Sequence, residues 1–281
     1  MPFQRRPARA PRFLLPLLAA AALTACSLFP SGADAPVATR VSALLPVDAL
    51  LLGEQHDAPE HHVIERETVQ ALVARGQLAA LALEMAEEGR STAHVAPTAS
   101  EAQVQAALDW NDKAWPWTSY GSAVMAAVRA GVPVVGANLP RARMKDAMAD
   151  VSLDVQLNGE AYTAQQDAVR EGHCKLLPES QIIPMTRIQV GRDRAMAQAI
   201  VKARQPGKTV LLIAGAGHAV RTLGVPQHLP DDVKVASVRL LASSTNDAVA
   251  GEYDKTWQTP PLPEKDYCAE LRRPAKAPAA S

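Results

Sequence analysis

The stretch Leu50–Asp57, with the sequence LLLGEQHD, decides the fold. Its three leucines predict a short buried strand over Ala49–Leu52, and the chain breaks at the following glycine. A carboxylate and an imidazole come directly afterwards, in Glu54 and His56. Open α/β sheets build their sites at the carboxyl ends of parallel strands. The stretch therefore predicts an α/β fold with a polar site at the end of its first strand.

The same design returns much later in the chain. Val210–Ala214 predicts a fourth buried strand, which leads into Gly215 and ends the turn at His218. Both turns have the pattern Gly-x-x-His, once as GEQH and once as GAGH. One such motif is weak, since a glycine could simply let the chain turn. Two of them, each after a buried strand, favour a shared functional site.

Three further apolar segments predict the rest of the sheet. A second strand is predicted over Leu78–Leu83, a third over Val132–Ala137 and a fifth over Lys234–Leu241. Glu84 follows the second strand and Asn138 follows the third. Because helical segments separate the strands, the sheet is expected to be mostly parallel and flanked by helices.

The polar residues at the strand ends should meet, since parallel strands bring their carboxyl ends to one edge. The candidate pocket consists of Glu54, His56, Glu84 and His218. Two acids and two histidines can hold a divalent metal that activates water. A glutamate could instead act as a general base beside a histidine. The plain alternative is that the acids are solvated and the histidines only cap helices.

Helical periodicity fills the segments between the strands. Helices are predicted from Pro59 to a stop at Gly76, and over Glu101–Leu108, Ser122–Ala130, Arg141–Asp150, Glu160–Glu171 and Met185–Arg204. The last three have no strand between them, which predicts a helical lobe over about residues 141–204, inserted before the fourth strand. His61 and His62 are expected on the surface of the first helix, and Asp193 in a surface ion pair of the last.

Residues 1–25 have the parts of a bacterial lipoprotein signal peptide. Four arginines precede an apolar segment, Phe13–Leu23, that is short for a membrane span. The sequence LTAC up to Cys26 looks like a lipobox, which predicts lipidation of that cysteine. An ordinary secretory signal with a chance cysteine is the alternative. Ser27 favours the outer membrane of a Gram-negative bacterium.

The remaining segments suggest one domain over residues 47–241. Residues 26–46 are rich in Ala, Pro and Ser and predict a tether, whereas the polar residues 242–281 predict a loose C-terminal tail. Cys174 and Cys268 are candidates for a disulfide in an oxidising envelope, and they lack zinc-site spacing. The formal net charge of zero gives no sign of a nucleic-acid-binding surface.

Taken in order, the motifs resemble the ChaN-like haem-binding lipoproteins, over about residues 45–241. The superfamily also includes TIKI and TraB proteins and erythromycin esterases. The motifs that carry the resemblance are GEQHD at 53–57, EM at 84–85, NLPR at 138–141, HC at 173–174, LPE at 177–179, Gln189, RD at 192–193, MA at 196–197, IAGAGH at 213–218 and GVP at 224–226. In TIKI proteins, paired Gly-x-x-His motifs and a glutamate are associated with metal-dependent proteolysis.

The resemblance implies haem held at a homodimer interface and a role in haem-iron uptake or handling. It also implies a tyrosine on the iron and basic or histidine side chains on the propionates. Tyr162 is the first candidate for that tyrosine and Tyr120 the second, while His173 is an alternative iron ligand. Arg187 could hold a carboxylate through paired hydrogen bonds. The competing hypothesis is a metal-dependent, peptidase-like hydrolase that uses the paired motifs and Glu84.

Overall fold

The computed structural model describes Met1 and residues 35–245, 251–269 and 271–272. The predicted signal peptide, Cys26 and the first part of the predicted tether lie outside the described residues. Among the helices that the structure describes, none is both long and apolar enough to cross a membrane.

One six-stranded sheet forms the centre of the fold. Its strands are β1 (Ala49–Glu54), β2 (Leu78–Glu87), β3 (Val134–Asn138), β4 (Thr209–Gly215), β5 (Val235–Ala242) and β6 (Lys255–Thr259). They lie in the order β3-β2-β4-β1-β5-β6, and every neighbouring pair is parallel. The predicted α/β class with a mostly parallel sheet is therefore confirmed.

Helices cover both faces of this sheet. They are α1 (Val37–Ser42), α2 (Pro59–Ala74), α3 (Glu101–Leu108), α4 (Trp117–Arg129), α5 (Met144–Ala149), α6 (Gly159–Gly172) and α7 (Glu179–Ala203). Leu50 and Leu52 of β1 pack into the core on the side of α2 and α4, while Leu51 packs on the side of α7. This two-sided burial explains why β1 is apolar without alternation.

The helical lobe predicted for about residues 141–204 has its own small core. Leu139, Leu153 and Leu157 pack there against Ala161 of α6 and Val190 of α7. The last helix begins at Glu179, before the predicted Met185, and continues through Pro184. The C-terminal half of α7 packs on the sheet through Met196 and Ile200, so α7 connects the lobe to the sheet.

Two terminal segments differ from the predictions. The predicted tether contains α1, whose Val37 and Val41 are buried in the main core. The predicted loose tail contributes β6, which pairs with β5 and buries Trp257. Cys174 and Cys268 form a disulfide that joins this segment to the lobe. The folded unit therefore extends beyond 47–241, because α1 packs against α2 in the main core and β6 pairs with the edge of the sheet.

Candidate functional site

The carboxyl ends of three adjacent strands, β2, β4 and β1, form the candidate site. Glu54 ends β1 and Glu84 lies in β2, while His218 lies in a single 3-10 turn that follows β4. With His56 they line one cleft of about 610 Å³ between the sheet edge and the lobe. The structure thus brings together the four residues predicted for the strand-end pocket.

Glu84 lies at the centre of this edge and is almost fully buried. Its Oε2 accepts a hydrogen bond of 2.7 Å from the backbone N–H of Gly215. Its Oε1 lies 3.5 Å from Nε2 of His218, and Nδ1 of His218 lies 2.6 Å from Oδ1 of Asp193. The expectation of a surface ion pair for Asp193 is wrong, because α7 presses this residue into the sheet edge, where it is buried.

Ion pairing fixes the charges of Glu84 and His218. Burial alone would raise the pKa of Glu84, but His218 and then His56 outweigh it and lower the pKa to about 2. Burial would lower the pKa of His218, but Glu84 and Asp193 raise it to about 10. For Asp193, burial prevails over His218, so its pKa is raised. At neutral pH, Glu84 is therefore a carboxylate and His218 an imidazolium.

His56 is the exposed member of the site, with 40% of its side chain accessible. Its Nδ1 lies 2.8 Å from Oε1 of Glu54, and its Nε2 lies 3.8 Å from Oε2 of Glu84. The edge of the Trp115 ring packs beside it, with ring centroids 4.8 Å apart. Trp115 belongs to an aromatic cluster in an aromatic-poor chain, a pattern that predicts core or a packed lid, or alternatively a flat apolar platform for a ligand.

Tyr120 does not suit the predicted role of an iron ligand. It is buried in α4, and its hydroxyl donates a hydrogen bond of 2.9 Å to Oε1 of Glu54. Burial and the nearby Glu54 raise the pKa of this phenol, which disfavours the phenolate that iron binds. Tyr120 instead supports Glu54 from behind the site.

Tyr162 and Arg187 are also committed elsewhere. Arg187 binds Asp154 through two hydrogen bonds of 2.8 and 2.6 Å, and the Tyr162 hydroxyl donates to the same carboxylate at 2.5 Å. Burial and Asp154 raise the pKa of Tyr162 to about 12, which favours the neutral phenol. Neither side chain is among those that line the cleft. The predicted haem roles of both residues therefore lack a geometric basis.

His173, the alternative iron ligand, does line the cleft. Its Nδ1 lies 2.8 Å from the carbonyl oxygen of Val169. Because a carbonyl can only accept, Nδ1 carries the proton, and Nε2 keeps a free lone pair. Val169 and Leu223 supply apolar surface in the same cleft. The wall of the cleft therefore places the His173 imidazole, whose Nε2 can bind a metal, beside apolar side chains.

Arg192 is a cleft residue that the sequence reasoning did not single out. It lines the cleft beside Asp193, and its Nε is buried without a hydrogen-bond partner among the described residues. A buried donor without a partner is uncommon in folded proteins. An anionic group of a ligand would satisfy it. The only sequence signal was its position in the RD pair at 192–193, which gives no information on burial.

The expectation that His61 and His62 lie on the surface is wrong, since His61 is fully buried and only 11% of the His62 side chain is accessible. Nδ1 of His61 accepts a hydrogen bond of 3.0 Å from the backbone N–H of Gln55, and Nε2 of His61 lies 3.1 Å from Oγ1 of Thr259 in β6. Burial lowers the pKa of His61 to about 4, so the ring is neutral. The residue joins the turn after β1 to the edge strand.

A family model described as haem-binding uptake, Tiki superfamily, ChaN, matches residues 41–229. A solved structure titled "Cofacial heme binding to ChaN of Campylobacter jejuni" is 25% identical, with a TM-score of 0.66, and covers 77% of this chain and 89% of that one. RRSP, a MARTX toxin effector domain from Vibrio vulnificus, is 14% identical, with a TM-score of 0.41, and covers 79% of this chain and 39% of that one.

No curated protein matches this chain in sequence. The family match nevertheless spans most of the chain and includes β1, β2, β3, β4 and the lobe. The Campylobacter jejuni structure shares the arrangement of strands and helices over most of its own length. This chain therefore belongs to the haem-binding uptake family of the Tiki superfamily, the family of ChaN.

Proposed function

We propose that this protein binds haem in the cleft between the sheet edge and the lobe, with Nε2 of His173 as the iron ligand. The observation that carries this proposal is the hydrogen bond from Nδ1 of His173 to the Val169 carbonyl. It fixes the tautomer and orients the ring, as second-shell partners do for metal-bound histidines. Haem supplies the iron chemistry, and the protein supplies the ligand, the shape and the charge.

The other lining residues fit the same ligand. A haem site needs an apolar slot and cations near the propionates. Val169, Val220 and Leu223 provide apolar wall, and Arg192 provides a cation with an unpartnered buried Nε. Arg192 therefore replaces Arg187 as the proposed partner of a propionate. Arginine suits this role because its planar group binds carboxylates by paired hydrogen bonds.

The cellular role is part of the proposal. The signal at residues 1–25 and the lipobox ending at Cys26 support a lipid-anchored protein of the outer membrane that takes part in haem-iron uptake. Cys26→Ser should abolish labelling of the protein by fatty acid, and unchanged labelling would contradict the lipid anchor.

The cofacial haem named for the Campylobacter jejuni protein supports a homodimer with stacked haems. Analytical ultracentrifugation with and without haemin tests that assembly.

A second candidate function is hydrolysis at the strand ends, favoured by the buried alignment of Asp193, His218 and Glu84. The His218 imidazolium could act as a general acid toward a substrate in the cleft. Divalent metal that is bound by the wild type and lost in His218→Gln would support a metal-dependent version of this activity. Glu84→Gln should remove hydrolysis of an ester or peptide substrate, and an unaltered rate would exclude this site.

Titration with haemin tests the proposed function. The wild-type protein should give a saturable shift of the Soret band, because a defined iron ligand produces a defined complex. His173→Ala should weaken haemin binding by about tenfold or more. Tyr162→Phe is the matched control and should bind as the wild type does. Absorbance that rises without saturation, or equal affinities for wild type and His173→Ala, would contradict the proposal.

A further inference from the structure

A second cluster of ligand-type residues lies behind the strand-end site, on the side of α2. It consists of Glu54, His62 and Glu65, and one nitrogen or oxygen atom from each lies within 4.8 Å of the others. Glu54 is 2% exposed and Glu65 is fully buried. Neither His62 nor Glu65 is among the residues that line the haem cleft. The cluster is therefore a separate place in the fold, and it shares only Glu54 with the cleft.

Two elements build this cluster. His62 and Glu65 are three residues apart in the first turns of α2, so their side chains lie on one face of the helix. Glu54 comes from the end of β1. Its Oε1 is engaged by His56 and Tyr120, whereas its Oε2 lies 3.4 Å from Nε2 of His62. Oε1 of Glu54 therefore faces the cleft, and Oε2 of Glu54 faces the cluster.

The atoms that face each other in the cluster lack hydrogen bonds. Oε2 of Glu54, Nε2 of His62 and both carboxyl oxygens of Glu65 are buried without a hydrogen-bond partner among the described residues. Buried polar atoms are nearly always paired in folded proteins. The Glu65 carboxyl group is buried near Nε2 of His62 with both oxygens unpaired. This arrangement therefore indicates a bound species in addition to the protein atoms.

We propose that Glu54, His62 and Glu65 hold a divalent transition-metal ion. Carboxylate oxygens and an imidazole nitrogen are ligands suited to Zn²⁺, Mn²⁺ and Fe²⁺. Bonds from zinc to such ligands are about 2.0–2.2 Å long, so ligand atoms around one ion lie up to about 4.4 Å apart. The three ligand atoms lie within 4.8 Å of one another, so side-chain rotation would have to draw them closer around the ion.

The charges favour a cation in this position. Two carboxylates face each other in a buried space, and the His62 ring is the sole basic group within the cluster. A divalent ion would balance both carboxylates and use the free lone pair of His62. The other possible occupant is a proton held on Glu65, because burial and then Glu54 raise the pKa of this carboxyl group well above its usual range, while His56 pairs with Glu54. The experiment must therefore separate a metal ion from a proton.

The ion would join α2 to the end of β1. Glu54 would then be fixed from the cluster side, which would hold its other oxygen against His56 and Tyr120. The site thus stabilises the turn that follows β1 without contributing to the haem cleft directly.

Calorimetric titration of the purified, metal-stripped protein with Zn²⁺ and with Mn²⁺ tests this proposal. Wild type should bind one equivalent, and Glu65→Gln and His62→Gln should each weaken binding by about tenfold or more. Glu60→Gln is a matched control on the same helix, since Glu60 is exposed, and should bind as wild type does. Loss of binding in His218→Gln with retention in Glu65→Gln would place the ion at the strand ends and overturn the proposal.

Thermal unfolding provides a second readout. The metal should raise the melting temperature of wild type and of Glu60→Gln but not that of Glu65→Gln. If Glu65→Gln does not fold, His62→Gln serves in the same comparison. Absence of both binding and a thermal shift in wild type would show that the cluster holds a proton. Haemin titration of Glu65→Gln should remain saturable, so failure of the metal site is distinguishable from failure of the haem site.

Discussion

Arg192 and Asp193 are neighbours in α7 with different tasks. Asp193 turns into the sheet edge and binds His218, whereas Arg192 lines the cleft with an unpartnered Nε. The sequence shows only an arginine beside an aspartate, a pair that is most often solvated. Their tasks depend on contacts with residues far along the chain, and these contacts exist only once α7 lies across the strand ends.

The pairing of Glu84 with His218 predicts a pH dependence of stability. The pKa of Glu84 falls from 4.5 to about 2, so its contribution is present above pH 4.5 and is lost as the pH falls toward 2. The pKa of His218 rises from 6.5 to about 10, so its contribution is present below pH 6.5 and is lost as the pH rises toward 10. The free energy of unfolding should therefore be highest between these limits.

The pair is expected to contribute about 3 kcal/mol to the free energy of unfolding, and this figure is the total for Glu84 and His218 together. Urea unfolding of wild type from about pH 6 to about pH 10 should show most of this loss. His218→Gln removes the titrating imidazole and should flatten the alkaline slope. An alkaline slope equal to that of wild type in this variant would show that other groups cause the pH dependence.

At the scale of elements, the turn after β4 packs closely on the end of β1. A Cβ added at Gly53 would lie 2.9 Å from both Cα of Ala216 and Cβ of Ala219. Glycine at this position therefore lets the 3-10 turn that carries His218 approach β1, which brings the two Gly-x-x-His turns together. Gly53, the first glycine of the GEQH motif, therefore allows close packing between the two elements and not only a turn of the chain.

Gly53→Ala should destabilise the protein by about 1–3 kcal/mol, because the added methyl group overpacks this contact. Chemical denaturation measures the effect. Gly159→Ala is the control, since a Cβ there meets nothing within 4 Å, and its free energy of unfolding should stay near that of wild type. Equal stability of Gly53→Ala and wild type would mean that the turn can shift away without cost.

The sequence predicted the apolar strands β1 to β5 and missed the polar edge strand β6. β1 and β4 are apolar runs followed by glycine, so their class and position follow from burial on two faces. β6 has the sequence KTWQT, with one large apolar residue, and only its pairing with β5 makes it a strand. The error over His61 has the same origin, because Thr259 of β6 is the partner that lies beside its Nε2.

At the scale of the whole molecule, the disulfide joins regions that are far apart in sequence. Cys174 follows α6 of the lobe, and Cys268 lies beyond the edge strand β6, 94 residues later. The bond thereby links the lobe that carries His173 to the C-terminal segment. Polar, proline-rich composition suggested a loose tail, whereas the disulfide and β6 fix the residues of this segment that the structure describes.

Replacing both cysteines, as Cys174→Ser with Cys268→Ser, should lower the free energy of unfolding by about 2–5 kcal/mol. The physical reason is the greater freedom of the unfolded chain once this long loop is open. Denaturation of the variant, compared with wild type under oxidising and under reducing conditions, measures the effect. The reduced wild type should match the variant, and equal stability under both conditions would contradict the prediction.

The iron position in crystals grown with haemin is the sharpest test of haem binding in the cleft. We expect iron bonded to Nε2 of His173 inside the cleft, with a propionate at Arg192. Iron bonded to Tyr162, or haem bound outside this cleft, would contradict it.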